Sequence, residues 1–201
     1  MGLALVLLTG VAWASDARLS GVEGHPRPRL PLTVHASIAA PYRDVVATVL
    51  AEWNALFRST FGVDAFTRAA QAADAAVQLS IRPLAQTGPM GRVAMGVTHI
   101  EAHDGVIALP VRVAVAPPGV HGQTPSDIVL YQVLAHELGH ALGLPHVNDP
   151  RSVMCCEPGG ISFADEATRE AYLDARRHPN LESVRAQILD HYRRVWKLVP
   201  P

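Results

Sequence analysis

Apolar and polar positions alternate from Leu30 to Ser37, with Leu32, Val34 and Ala36 set against Thr33, His35 and Ser37, and this period of two predicts a first strand. The period then changes. Tyr42, Val45, Val46, Val49, Trp53, Leu56 and Phe57 recur at i, i+3 and i+4, predicting an amphipathic helix with Pro41 at its first position and Gly62 as its breaker. Phe66 to Ala69 reads as a short strand, and Val77, Leu79 and Ile81 alternate with Gln78, Ser80 and Arg82 as a clearer one. Strand, helix, strand in this order predicts a parallel βαβ unit.

Two further β-rich runs, Val93 to Ile100 and Val106 to Val115, flank a polar segment ending in Asp104-Gly105 and predict an antiparallel hairpin. Pro110 has no N–H for the ladder, so a bulge or a strand end is expected there. Ala116 to Gln123 reads as a loop, after which Thr124 as cap, Pro125 at the first helical position and Asp127 at the third predict a helix start. Farther on, Ser162 with Asp165 has the pattern of a capping box, and Asn180 after Pro179 opens a last helix. Its stripe of Leu181, Val184, Ile188, Tyr192 and Val195 predicts docking on its own domain, with Arg193, Arg194 and Lys197 near the C-terminal end of the dipole.

Composition narrows the class. The chain has 201 residues, 49% of them hydrophobic, which suits one globular domain or at most two small ones. With 17 Lys and Arg against 18 Asp and Glu, the net charge of -1 argues against nucleic acid or an anionic membrane surface as partner. The longest apolar run, Leu3 to Trp13, is broken by Thr9 and Gly10 and is too short to span a bilayer. Within it, the apolar core Leu3 to Val11 followed by the small-x-small site Ala12-Trp13-Ala14 reads as a signal peptide over residues 1–14, predicting a secreted or periplasmic protein with no stable membrane insertion after cleavage. A short linker is expected over 15–29 and a single domain over 30–201. Cys155 and Cys156 are the only thiols, and being adjacent they cannot staple distant parts of the fold; pairing with each other, remaining free and pairing between molecules are all open to them.

The chemistry concentrates in residues 136–146, His-Glu-Leu-Gly-His-Ala-Leu-Gly-Leu-Pro-His. On a helix, positions i and i+4 lie about 40° apart around the axis, so His136 and His140 project side by side and can reach one ion. A third ligand cannot follow along the same helix and still converge. Gly143 is the least costly place for the backbone to turn and deliver His146. Three imidazoles leave a fourth tetrahedral position of a zinc ion open, the arrangement of a catalytic site. Glu137, within an apolar helix containing Ile128, Val129, Leu130, Val133, Leu134, Leu138, Ala141 and Leu142, is expected as the proton acceptor beside that ion.

This stretch resembles the zinc signature of the metzincin metalloproteases, and Ser152-Val153-Met154 resembles their Met-turn, in which the methionine (here Met154) lies beneath the metal without ligating it. Trp53, Phe66-Thr67-Arg68 and Ala73-Asp74 are similar to the matrixin group within them. The resemblance implies an α+β fold with α/β-like features: a five-stranded mixed, twisted sheet, four strands parallel and one antiparallel edge strand, with a backing helix, a zinc-site helix and C-terminal helices. It implies one catalytic Zn²⁺ and a peptide or protein substrate that adds as a strand to the edge, here Val93, Ala94, Met95, Gly96 and Val97. The oligomeric state is left open. Departures from the family pattern are Cys155-Cys156-Glu157-Pro158 where Tyr-Pro is usual, Val147 in place of a serine, no cysteine before the zinc helix, and only His99, His103, Asp104 and His121 to set against a second, structural zinc site. The expected activity is that of a secreted zinc endopeptidase with Glu137 as general base and acid. The alternatives are a zinc-stabilised peptide-binding protein without catalysis and a zinc aminopeptidase.

Overall fold

The computed structural model describes residues 19–84, 95–118 and 125–198. The leader expected at 1–14, Val93 and Ala94 of the expected edge strand, His121 and the Thr124 cap lie outside the described residues.

Strand β1 (Leu32–Ser37) buries Leu32 and Val34, as its alternation predicts. After a single 3-10 turn at Ala40–Tyr42 that takes up Pro41, helix α1 (Arg43–Phe61) buries Val46, Val49, Leu50, Trp53, Leu56 and Phe57 and ends at Gly62, whose left-handed φ of 75° suits a residue without Cβ. Strands β2 (Phe66–Arg68) and β3 (Val77–Ile81) both pair parallel to β1, on opposite sides of it. The predicted βαβ unit is therefore present.

The predicted hairpin divides in two. Asp104 (φ 52°) and Gly105 (φ 76°) both adopt positive φ, the conformation of a two-residue hairpin turn, and they close a small ladder of β5 (Ala102–His103) and β6 (Val106–Ile107). The longer antiparallel pairing runs around it, between β4 (Gly96–His99) and β7 (Val111–Val115). β7 begins directly after Pro110, the strand boundary that the missing N–H predicts. β7 also pairs parallel with β3, so the five-stranded sheet has the order β2-β1-β3-β7-β4, with four parallel strands and β4 as an antiparallel edge. This is the metzincin-like α+β fold.

Helix α2 (Ser126–Ala141) starts one residue later than predicted, with Pro125 in the cap position rather than inside the helix. From Val133 to Ala141 every residue is buried. Helix α3 (Glu166–Arg177) corrects a second boundary: Asp165 itself caps it, accepting from the Thr168 N–H at 2.7 Å, so the helix begins after Asp165 and not after Ser162. A carboxylate at the cap satisfies a free N–H and places negative charge at the positive end of the dipole.

Asn180 caps a 3-10 turn (Leu181–Val184) that leads into α4 (Arg185–Leu198). Leu181, Val184, Ile188, Tyr192 and Val195 are all buried, as a helix docked on its own domain requires. Tyr192 meets Phe57 and Phe61 of α1 edge-on, with ring centroids 5.4 and 5.7 Å apart, and Trp196 meets Phe61 at 4.9 Å.

Residues before β1 also lie against the domain. Gly24 donates to Gly105 O at 2.9 Å and accepts from Ile107 N at 3.0 Å, extending the small ladder by one bridge, and Trp196 Nε1 donates to His25 O at 3.1 Å. No helix among the described residues is long and apolar enough to cross a membrane.

Candidate metal centre

The centre is built from the last turn of α2 and the reversal that follows. Leu142 caps the helix and Gly143 takes φ of 91°, where a side chain would be strained. Space forbids one as well, because a Cβ at Gly143 would stand 2.5 Å from Glu23 O. The freed carbonyls at the helix end find side chains: His25 Nε2 donates to Ala141 O and Tyr192 Oη to Leu142 O, each at 2.9 Å. Gln187 Nε2 donates to Pro145 O at 2.8 Å, tying α4 to the segment that carries His146.

Three ring nitrogens converge. His140 Nε2 lies 3.0 Å from His136 Nε2 and 3.2 Å from His146 Nε2, and His136 and His146 are 3.1 Å apart through the same atoms. His136 Nδ1 faces Val153 O and His140 Nδ1 faces Leu144 O, both at 2.8 Å. A carbonyl only accepts, so these Nδ1 atoms carry the protons and the two Nε2 atoms present lone pairs to each other. Lone pairs held this close call for a cation. A tetrahedral ion bonded at about 2.0–2.1 Å separates its ligand atoms by about 3.3 Å, close to the spacing seen, so a zinc ion fits the donor set.

Burial and mutual repulsion keep the rings neutral, which metal binding needs. His136 is held well below the usual histidine range by burial first, then by His140, His146 and the Arg176 cation. His140 is lowered to about 3 by burial and by His146, and the less enclosed His146 is lowered by burial against the opposing charge of Glu157. Among the described residues this is the single group of three or more metal-binding side chains that converges; His99, His103 and Asp104 do not form another.

Glu137 is fully buried, between the two helical histidines in sequence. Thr98 of β4 donates its hydroxyl to Glu137 Oε2 at 2.5 Å, while Oε1 has no hydrogen-bond partner among the described residues. Burial pushes the carboxyl up to about 8, against the lowering effect of the Thr98 bond. Gly96 makes this placement possible: a Cβ there would stand 2.4 Å from Glu137 Oε1. The carboxylate thus lies directly under the edge strand.

Met154 is buried beneath α2, and a Cβ at Gly139 would meet its sulfur at 2.4 Å, so the glycine between the two helical histidines lets the methionine close on the helix. Val147 N donates to Met154 O at 3.1 Å, linking the chain after His146 to the same turn. Cys155 and Cys156 pair with each other, and neither joins the histidine cluster. Of the expected edge strand, Met95 is buried just before β4, Gly96 and Val97 lie in it, and the strand continues to His99.

The pattern along the chain marked Gly96 only as an edge-strand position, and missed Thr98 as the partner of Glu137 and Arg176 as a buried cation beneath the Met-turn. Thr98 carried one signal, a polar residue inside an apolar run. Its partner is 39 residues away and no local rule connects the two.

A mixed sheet with an antiparallel edge, and beneath it a helix offering two histidines that a third joins from the reversal after the helix, define a metzincin-like metallopeptidase domain. Residues 65–158 match the Matrixin family model, from β2 through the histidine triad and the turn at Met154, and the chain carries a matrixin-like domain. No curated protein matches the chain.

Proposed function

We propose that this protein is a secreted zinc endopeptidase, with His136, His140 and His146 as the ligands of one catalytic ion and Glu137 as general base and acid. The observation that carries the reading is the convergence of three imidazole nitrogens beside a buried carboxylate whose Oε1 takes no hydrogen bond from the described residues. A zinc ion held there supplies Lewis acidity, acting on a water molecule and on the scissile carbonyl.

The chain's own residues do the rest. Val153 O and Leu144 O fix the tautomers of His136 and His140, so that Nε2 of each is the ligand atom. Thr98 holds Glu137 Oε2, leaving Oε1 to take the proton of the attacking water and pass it to the leaving amine nitrogen. Among the described residues the outer edge of β4 has no strand partner in the sheet, and an extended peptide adding there would lie directly above Glu137. Main-chain pairing of this kind tolerates many side chains, which favours internal cleavage of unfolded polypeptides. The leader at residues 1–14 would direct the domain out of the cytoplasm.

The test uses the purified protein and its Glu137→Ala form on a mixture of denatured proteins, with new termini mapped by mass spectrometry. Internal cuts made by the wild type alone and stopped by a chelator are expected. Trimming from chain ends alone would replace the reading with an exopeptidase. A folded, zinc-loaded wild type that cuts nothing would replace it with a peptide-binding protein.

A further inference from the structure

Arg176 lies well outside the matched segment, on α3, yet its guanidinium is buried beneath the Met-turn, with the residue only 9% exposed. Among the described residues no carboxylate pairs with it. Its donors go elsewhere: Nη2 reaches Cys155 O at 3.0 Å and Nη1 reaches Ser152 O at 3.4 Å. Two donors cannot face each other, so the Gln132 amide presents its oxygen, accepting from Nε at 2.7 Å and Nη1 at 2.8 Å. The face of the Tyr172 ring covers the guanidinium at 4.4 Å.

A buried cation is costly unless its donors are used, and here they are used on a specific segment. Ser152 O and Cys155 O bracket Val153 O, the carbonyl that receives the His136 Nδ1 proton at 2.8 Å. Gln132 lies one helical turn before His136, on the same side of α2. The guanidinium therefore ties the Met-turn to the face of α2 that carries the first histidine. A planar fork reaches three acceptors at once, which a lysine ammonium on its flexible stem does not reproduce.

We propose that Arg176 is a positioning residue for the metal centre: by holding the carbonyls on either side of Val153 it fixes the tautomer and the aim of the His136 ring. The inference rests on the reading of His136 as a zinc ligand. It makes α3 a working part of the centre and not only a cover for the domain.

The experiment uses the full chain with Arg176→Gln, Arg176→Lys and Tyr172→Leu. Zinc affinity is measured by competition with a chromophoric chelator. ¹⁵N NMR of the metal-free protein at neutral pH reports which His136 ring nitrogen carries the proton, and urea unfolding of the metal-free protein reports stability. Loss of an outer partner of a metal-bound histidine weakens metal binding by about 10- to 100-fold. Arg176→Gln is expected to bind zinc about tenfold more weakly and to show a mixed His136 tautomer where the wild type has Nδ1–H. Arg176→Lys, with charge but no fork, should not restore either property. If Arg176→Gln fails to fold, Tyr172→Leu, which loosens the guanidinium without removing it, should still show a measurable part of both changes. Wild-type zinc affinity and tautomer in variants that are merely less stable would overturn the inference and leave the proposed function standing. A folded wild type that binds no zinc would overturn both.

Discussion

Two groups of histidines, all buried except the half-buried His146, lie near the turn at Gly143, and they differ in what their second nitrogen does. In the triad, His136 and His140 each give a ring proton to a carbonyl, and three Nε2 atoms meet within 3.0–3.2 Å. In the other group, His25 uses Nε2 on Ala141 O, and His191 packs its ring against Tyr192 and close to Gly24 and Gly143. Apart from the half-buried His146 both groups are shielded from water, and both have lowered basicity. Burial therefore does not make a metal centre. Convergence of lone pairs does, and it requires carbonyl partners that hold the far side of the rings.

The largest effect should come from removing a ligand. His136→Ala, His140→Ala or His146→Ala is expected to abolish stoichiometric zinc in metal analysis and to bring peptide hydrolysis to background, whereas His25→Gln should keep both. Equal zinc loss in His25→Gln would erase the distinction between the groups. Next comes Glu137→Gln, expected to keep zinc and to lower kcat by about 10²- to 10⁴-fold, the range for a positioned acid-base group.

Acid should expose the second group. Burial, with Arg29 and neighbouring His191 adding to it, lowers His25 to about 4. Burial and Arg194 lower His191 to about 4, against Glu23 and Asp190, which favour its charge. Unfolded histidine titrates near pH 6.5, so the unfolded chain binds these protons first as pH falls. Their contribution to stability is complete above about pH 6.5 and is lost progressively down to about pH 4, by up to about 3 kcal/mol for each ring. Urea unfolding between pH 7 and 4 should show a shallower fall in His25→Gln than in wild type, and parallel curves would count against the assignment.

A smaller change tests the acceptor side of the centre. Thr98→Val preserves shape and removes the hydroxyl that orients Glu137 Oε2. Hydrolysis about tenfold slower with zinc content unchanged is expected, in line with the loss of one buried hydrogen bond. Wild-type kcat in that variant would assign the orientation of the carboxylate to packing alone.

Much of this molecule is legible in order along the chain. The alternation from Leu32 to Ser37, the stripe from Val46 to Phe57, the breakers Gly62 and Pro110 and the spacing of His136, His140 and His146 are local patterns, and the structure follows them to within a few residues. Asp104-Gly105 was legible as a turn, but not as the turn of a separate small ladder, because the partners of the two flanking runs depend on which strands the sheet has already joined. Asp165 shows the same limit at a helix boundary. Two acceptors three residues apart, Ser162 and Asp165, both suit a cap, and the folded chain uses the second.

By itself the sequence determined the element types and the convergence of the triad, because periodicity, turn chemistry and ligand spacing act over a few residues, while the edge role of the run before His99 came from the family resemblance. Tertiary structure alone decided that Thr98 meets Glu137, that Gly96 clears room for that carboxylate, that His25 and Tyr192 close the end of α2, and that Arg176 reaches beneath the Met-turn. Each of these contacts joins residues at least 21 positions apart. Their chemistry depends on desolvation and on which donors and acceptors packing brings within reach, and neither is encoded by the neighbours of a residue in the chain.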